Sequence, residues 1–583
     1  MMEEDYEESF SQVLAELKRT TRDPRSIRLA AVTSALIEVM QYHHLPANDA
    51  SSSSCTASKL YAKAVTALEG TLQEAADTNN DDPTTAAIKS TSSLHETIAT
   101  QIALLELLHR ILPFVTPAAI VTATLPLTSR VLRALVASSH AMEEAGSDKV
   151  METKDELGGI NAVLRSTCRA TGQVLQQIHA QADPKVVKQL LTDTLLVLFH
   201  DRRPKVRKAA QAAVLELLLL QQSMPTESSR HCHPSIPKVV TNYAHTVLRT
   251  VKKQSEGESS TTAQSLSEVL HLLGFLEQSA LLLDVVKLGD DMMELLAKLI
   301  RVEEAAVAAD FVALPKVKDE APKILTISAV LTTVTSMVKT SLEDGQKNRS
   351  LDAFAARVLA SLLAANPSLV FRSGSADYDL LERGRILYGQ AVLASCQRVM
   401  ASNADLACRL LPLSIQMVVL MSKPSNEAID DPTVAQTLMV ELTQLFRHEL
   451  VNLIECQSSN LATCLKSSLS GLVKVTEPLY RPTWSVSLQC LVVLLSQVNG
   501  QCEVGSHVKA LLSLRNQVPA GSPSQHAVEE AVSSLVQAVG VEGCWTWLGF
   551  AQQGTGVIDK GTSIRSYRCG TRADRILTIA LYW

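Results

Sequence analysis

The chain has 583 residues, 46% of them hydrophobic, 20% charged and only 4% aromatic, with a formal net charge of −6. This balance excludes a disordered polyelectrolyte and a chain drawn to nucleic acid by its overall charge, so contact with a polyanion has to come from a local basic patch. The length suits about four ordinary domains or one long repeat array.

The opening, "MMEEDYEESF", is acidic and has no apolar core, so no secretory signal is expected. Eleven cysteines run from Cys55 to Cys569 without a C-x-x-C, which fits reduced, mostly buried thiols. Leu, Ala, Val, Ser and Thr dominate, a mixture suited to packed helices. Residues 1–95 read as helices with polar low-complexity loops, including "PANDASSSSCTAS" and "DTNNDDPTTAA". Two uncharged runs invite a membrane check. Residues 111–129 are interrupted by Pro113, Pro117 and Pro126, and 483–502 carry Ser487, Gln489, Ser496 and Gln497 at amphipathic spacing. Both read as core helices, and no membrane association is expected.

From 96 to 541 the helical period is nearly continuous. Val187, Leu190, Leu191, Leu195 and Leu198 make one stripe; Val206, Ala209, Ala210, Ala213, Val214 and Leu217 make the next. A third runs through Val240, Tyr243, Val247 and Val251, and a late one through Trp484, Leu488, Leu491, Leu495 and Val498. Pro204 and Asn499-Gly500 supply start and stop signals. The segments pair as 184–200 with 204–221, 322–341 with 349–365, 379–401 with 405–421, and 433–457 with 459–476. Pairs recur at about 40–50 residues, the spacing of HEAT or armadillo repeats, with "KKQSEGESSTTAQ" and "PKVKDEAPK" as loops. The expected fold is an all-α, HEAT/armadillo-like solenoid of antiparallel helix pairs over 96–541. Residues 542–583 form an irregular tail that loses the period.

Between the paired segments lies "DRRPKVRKAA", with five basic residues in the seven positions from Arg202 to Lys208. Composition alone allows a nucleic-acid grip, a nuclear address or a helix start. Asp201, Val206, Arg207 and Ala210 fit the D-x-x-x-x-V-R-x-x-A signature of a HEAT repeat, and "DPRSIRLAAV" at 23–32 is a shorter echo. In that signature Arg207 is structural and pairs with Asp201 or a neighbouring repeat. Arg202, Arg203, Lys205 and Lys208 exceed what the signature needs. They are either a solvated helix start or a contact for an anionic partner, since cations in a first turn oppose the helix dipole.

No catalytic constellation is found. There is no phosphate-binding glycine loop, no G-x-S-x-G and no H-E-x-x-H; His95-Glu96 lacks a second histidine. His231-Cys232-His233 has no second ligand pair at finger spacing, and His43-His44 read as a helix cap. Cys456 and Cys464 read as packing residues, and Glu303-Glu304 and Asp290-Asp291 as solvated faces near helix ends. No enzyme activity, cofactor or metal is expected.

The "DRRPKVRKAA" block with its following helix resembles the nucleolar HEAT-repeat family of ribosomal RNA-processing protein 12. "PLYRPTWSVSLQCLVVLLSQVNG" at 478–500 is similar to that family's Tyr-Arg…Trp segment, and "AVGVEGCW" at 538–545 to its short Gly-x-Glu turn. The order and separation of the blocks agree across roughly 184–545. The resemblance implies a scaffold for maturation and export of small-subunit precursors, binding pre-ribosomal RNA and assembly proteins, in the nucleus and nucleolus with shuttling to the cytoplasm. It also implies that this chain corresponds to the N-terminal part of a longer scaffold, since relatives continue to a basic tail. A nuclear transport receptor or adaptor, engaging the transport machinery, is the alternative; an enzyme assembled from distant repeats is a third.

Overall fold

A computed structural model describes residues 2–547, except 20–22, 43–55, 78–85, 147–153, 179–181, 223–232, 255–262, 310–319, 344–348, 366, 368–370, 372–377, 425–432, 499–500 and 502. The expected tail from 548 onward, His43-His44, His231-Cys232 and the Asn499-Gly500 stop lie outside these residues. Among the described residues the regular structure is entirely helical.

The chain divides into two compact units, Met1–Val247 with Gln278–Asp284, and Leu248–Glu277 with Val285–Trp583. The first unit contains α1 (Met2–Lys18), α2 (Pro24–Tyr42), α3 (Ala57–Asp77), α4 (Ala86–Ile111), the short α5 (Pro117–Ala119), α6 (Leu125–Gly146), α7 (Lys154–Gln177), α8 (Pro184–Leu190) and α9 (Pro204–Gln222). The boundary between the units falls in α10 (Ile236–Gln254). The second unit continues through α11 (Ala263–Ser279), α12 (Val285–Ala309), α13 (Glu320–Glu343), α14 (Arg349–Ala364), α15 (Tyr378–Ser402) and α16 (Ala404–Met421). It ends with α17 (Thr433–Leu445), α18 (Val451–Glu455), α19 (Leu461–Leu472), α20 (Trp484–Gln497), α21 (Gly505–Leu514) and α22 (Pro523–Trp547).

Both units are layered in the HEAT-like manner. In the first, α2, α4, α7 and α9 succeed one another in one layer, while α3, α6 and α8 form the other. In the second, α13, α15, α17, α20 and α22 form one layer, and α12, α14, α16 and α19 the other. The four helix pairs expected from periodicity are present, with ends displaced by a few residues. The expected edge at 95/96 lies within α4, and the one at 541/542 lies beside Gly540, where the backbone of α22 leaves helical geometry.

Local chemistry explains the starts. Asp183 caps α8, its side chain accepting from the Lys185 N–H at 2.9 Å with Pro184 in the first turn. Asn403 caps α16 in the same way, accepting from Leu406 at 3.0 Å. After Leu190 the helix widens into a π-turn over Leu191–Leu196, where the Thr194 hydroxyl donates back to the Leu190 carbonyl, and then tightens to a 3₁₀ turn at Val197–His200.

The stripes are the core. Val187, Leu190, Leu191, Leu195 and Leu198 are fully buried, as are Trp484, Leu488, Leu491, Leu495 and Val498 to within 2%. The stripe of α10 sits one position over from expectation. Ile236, Val240, Ala244 and Leu248 are buried, whereas Tyr243 and Val247 flank them half-buried. Tyr243 is drawn sideways because its hydroxyl donates to the Leu196 carbonyl at 2.8 Å and its ring meets Phe199 edge-on at 5.9 Å. Among the described residues one helix, α16, is long and apolar enough to cross a bilayer; half of that window is buried, and it packs on α15 and α19.

Close helix approach uses small residues. A Cβ on Gly172 of α7 would stand 3.2 Å from the Ala213 Cβ of α9. At Gly289 of α12 a Cβ would stand only 2.1 Å from the edge of the Phe354 ring of α14. Gly289→Ala should therefore destabilise the protein by about 1–3 kcal/mol through overpacking, despite alanine's helix preference of about 1 kcal/mol. An unchanged chemical-denaturation midpoint would contradict this packing. Leu195→Asp puts a carboxylate at a fully buried position, and a loss of at least about 3 kcal/mol is expected. Limited proteolysis should then cut within 184–222 before the second unit yields, because repeats depend chiefly on their neighbours.

Candidate nucleic-acid interface

The 3₁₀ turn ending at His200 delivers Asp201 into the corner before α9, where only 6% of its surface stays exposed. Oδ1 accepts from the Arg203 N–H and from Arg203 Nε, both at 2.8 Å, and Oδ2 accepts from Arg203 Nη2 at 2.6 Å. A bidentate guanidinium is thus closed onto a buried carboxylate across two residues. Burial alone would push the Asp201 carboxyl up; the Arg203 hydrogen bonds and charge, with His140 nearby, outweigh it and hold the group below its ordinary value. Burial, with the Asp201 charge added to it, pushes the Cys168 thiol of α7 up to about 12.

Arg207 also belongs to the corner. Its Nη1 donates to the Asp201 carbonyl at 2.7 Å and the Arg202 carbonyl at 3.1 Å. The HEAT signature predicts Arg207 as the charge partner of Asp201 or of a neighbouring repeat. The structure gives the carboxylate to Arg203 and sends Arg207 to the backbone, because Arg203 also presents its N–H to the same oxygen and encloses it. Arg203 is therefore spent on the turn. The signal was present in the sequence, since an Asp two residues before a basic residue at a helix start recurs. Asp23 accepts from the Arg25 N–H at 3.4 Å, and Asp183 from the Lys185 N–H. Val206 and Ala210 are fully buried on the α9 core face.

Arg202, Lys205 and Lys208 are exposed and have no ion-pair partner among the described residues. Lys205 and Lys208 project from the first turns of α9 and Arg202 from the bend just before it, where the helix dipole is positive and the Arg203 and Val206–Arg207 backbone is held by local hydrogen bonds. The arrangement can bind anionic groups; it offers no nucleophile or general base.

The other motifs are absorbed by packing. Trp484 Nε1 donates to the Val475 carbonyl at 2.8 Å, Tyr480 donates to the Val419 carbonyl at 3.1 Å, and Arg481 lies 5.9 Å over the Trp484 ring. The Tyr-Arg…Trp segment is thus a corner brace. At the third block the helix breaks at Gly540, whose φ of 80° suits glycine. Asp290 and Asp291 are not simply solvated: Asp290 pairs with Arg357 at 3.1 Å and the largely buried Asp291 with Arg249 at 3.7 Å. Cys464 packs in the core as expected, but Cys456 is exposed in the turn after α18. Glu96, beside His95, faces Arg28 at 3.5 Å.

Asp201→Asn keeps the shape but removes the charge from the bidentate pair, so a loss of about 1.5–3 kcal/mol is expected. The Asp201 carboxyl is held below its unfolded value of about 3.9. Its contribution is therefore complete above that pH and is lost as the pH falls through the lower folded value. Denaturation midpoints of the parent and Asp201→Asn proteins should accordingly converge as the pH is lowered below about 4; a gap that stays constant on acidification would contradict the assignment.

No family model matches the chain, and no curated protein matches it by sequence. Several solved structures show a partial likeness. A circular tandem repeat protein with novel repeat topology is 12% identical over 94% of this chain and 98% of its own, with a TM-score of 0.25. SYS-1 is 13% identical over 93% and 94%, with a TM-score of 0.26. The NOT1 superfamily homology domain from Chaetomium thermophilum is 13% identical over 91% and 97%, with a TM-score of 0.23. The architecture described above rests on the packing of this chain itself.

Proposed function

We propose that this helical-repeat protein is a non-enzymatic scaffold in ribosome biogenesis, acting in the nucleus and nucleolus on pre-ribosomal RNA and assembly proteins of the small-subunit precursor. The observation that carries RNA contact is the division of labour at the α9 corner. Arg203 and Arg207 are consumed by the turn, which leaves Arg202, Lys205 and Lys208 exposed on a rigid support. The ribosomal assignment is supported by the resemblance of "DRRPKVRKAA" and its two companion blocks to the nucleolar family.

The chemistry follows from that support. Three cations at the start of α9 meet phosphate oxygens without reading bases, so they position RNA rather than select its sequence. Each phosphate neutralised releases condensed counterions, and the affinity falls with salt accordingly. Sequence preference would have to come from other surfaces or from assembly proteins bound alongside.

Changing Arg202, Lys205 and Lys208 together to Gln should leave the melting temperature nearly unchanged, since exposed charges usually contribute within about ±0.5 kcal/mol. RNA affinity should drop uniformly across sequences, and the log–log salt slope should flatten by up to about 0.7 per lost single-strand contact. Identical affinity and slope would remove the α9 corner as the RNA contact. Isolation of the endogenous protein should bring down precursor small subunits. Recovery of the GTP-bound transport GTPase without ribosomal particles would favour the transport-receptor reading instead.

A further inference from the structure

The first unit contains a concavity of about 530 Å³ lined by α2, α4 and α7, with the last turn of α1 at one corner. Its floor is one face of α4. Ala99, Ile102 and Ala103 stand at i, i+3 and i+4, and the small side chains keep the floor low. The same face continues to Glu106 and Arg110, a run of about 16 Å at 1.5 Å per residue. Leu29 and Ala162 extend the apolar strip onto the two walls.

The walls carry arginines. Arg25 and Arg28 stand on α2, Arg165 and Arg169 one turn apart on α7, and Arg110 at the end of the floor. Two are already engaged: Arg28 with Glu96 at 3.5 Å and Arg110 with Glu106 at 3.1 Å. Arg165 donates through Nε to the Asn161 carbonyl at 3.3 Å, which leaves its terminal nitrogens for another acceptor. Among the described residues no ion pair engages Arg25, Arg165 or Arg169, and Arg25 and Arg169 are exposed. Glu16 and Asp23 lie at the α1 corner, so the positive surplus is concentrated on the α7 wall.

This combination discriminates between polyanions. Among the described residues no aromatic side chain lines the groove, so unstacked bases have no platform there. Glu16, Asp23 and Glu106 would repel a continuous row of phosphates. A peptide can instead place an aliphatic side chain on the alanine floor and direct separate carboxylates to the arginine forks, the pattern of helix-in-groove and acidic-motif recognition. The geometry points to a docking groove for an acidic, aliphatic segment of a partner protein, with its anchor over Ala99 and Ala103 and its carboxylates held by Arg165 and Arg169. This inference goes beyond RNA contact and does not depend on the ribosomal assignment.

The test uses the full chain and fluorescence anisotropy. The probe is a labelled synthetic peptide with Leu at helical i, i+3 and i+4 spacing and Glu or Asp between. A Lys-substituted copy of the peptide and a labelled uridine oligomer serve as controls. The acidic peptide should bind the parent and the Lys copy should not. Arg165→Glu with Arg169→Glu should weaken the acidic peptide by about tenfold or more, with the uridine oligomer unaffected. The milder Arg165→Gln with Arg169→Gln pair should give a smaller loss at an unchanged melting temperature. Ala99→Leu should weaken the peptide several-fold at unchanged charge by filling the floor. Failure of the peptide to bind the parent, or equal affinity in every variant, would overturn the proposal. So would loss of uridine-oligomer binding in the Arg165 and Arg169 variants, which would assign the groove to RNA. Loss of RNA binding confined to the Arg202, Lys205 and Lys208 variant concerns the α9 corner alone and leaves this groove standing.

Discussion

A carboxylate buried at the corner between paired helices must be neutralised where it stands, and in this protein Arg203 does so for Asp201. An ionised group deprived of water is tolerated only when its lone pairs are met by well-placed donors. Three bonds from one arginine meet them, and Arg207 ties the adjoining carbonyls to the first turn of α9. The corner fixes the direction in which α9 leaves, and with it the packing of α9 on α7. It also decides which cations face outward. A basic cluster that looks uniform in sequence is two structural arginines and three exposed cations.

The second constraint is close approach between successive helices of a layer. With few aromatic residues available, the interfaces are filled by aliphatic side chains and narrowed by small ones, as at Gly172 against Ala213 and Gly289 against Phe354. Such contacts fix the axial register of neighbouring helices. Side-chain hydrogen bonds to helix carbonyls add to this at defined points: Tyr243 to Leu196, Tyr480 to Val419 and Trp484 to Val475. In these three the acceptor is a carbonyl at a helix end or bend, where carbonyls are freed from the regular ladder.

The two candidate binding surfaces of the first unit differ in kind. At the α9 corner, cations stand at the start of a helix on a polar surface, which suits a flexible chain of phosphates. On α4 the arginines flank an apolar floor and share it with carboxylates, which suits a partner carrying its own pattern of anchors and charges. A repeat protein can hold both because each surface is built from a few neighbouring helices and leaves the rest of the layer unaltered.

Helix positions and pairing were legible in the sequence because both are short-range. The apolar period locates the core face of α8, α9 and α20, Pro204 marks a start, and the recurrence of segments implies layered pairs. The partner of each charge was not legible, since it depends on a competition settled at distances the period does not encode. Arg203 displaced Arg207 at Asp201 because its own N–H approaches the same oxygen. Tyr243 moved off the α10 core line to reach a carbonyl 47 residues away, and Asp291 was enclosed by packing and set beside Arg249. The α4 groove is the extreme case. Arg25, Arg110 and Arg165 are far apart in the chain and carry no common motif, and only the stacking of three helices places them around one floor.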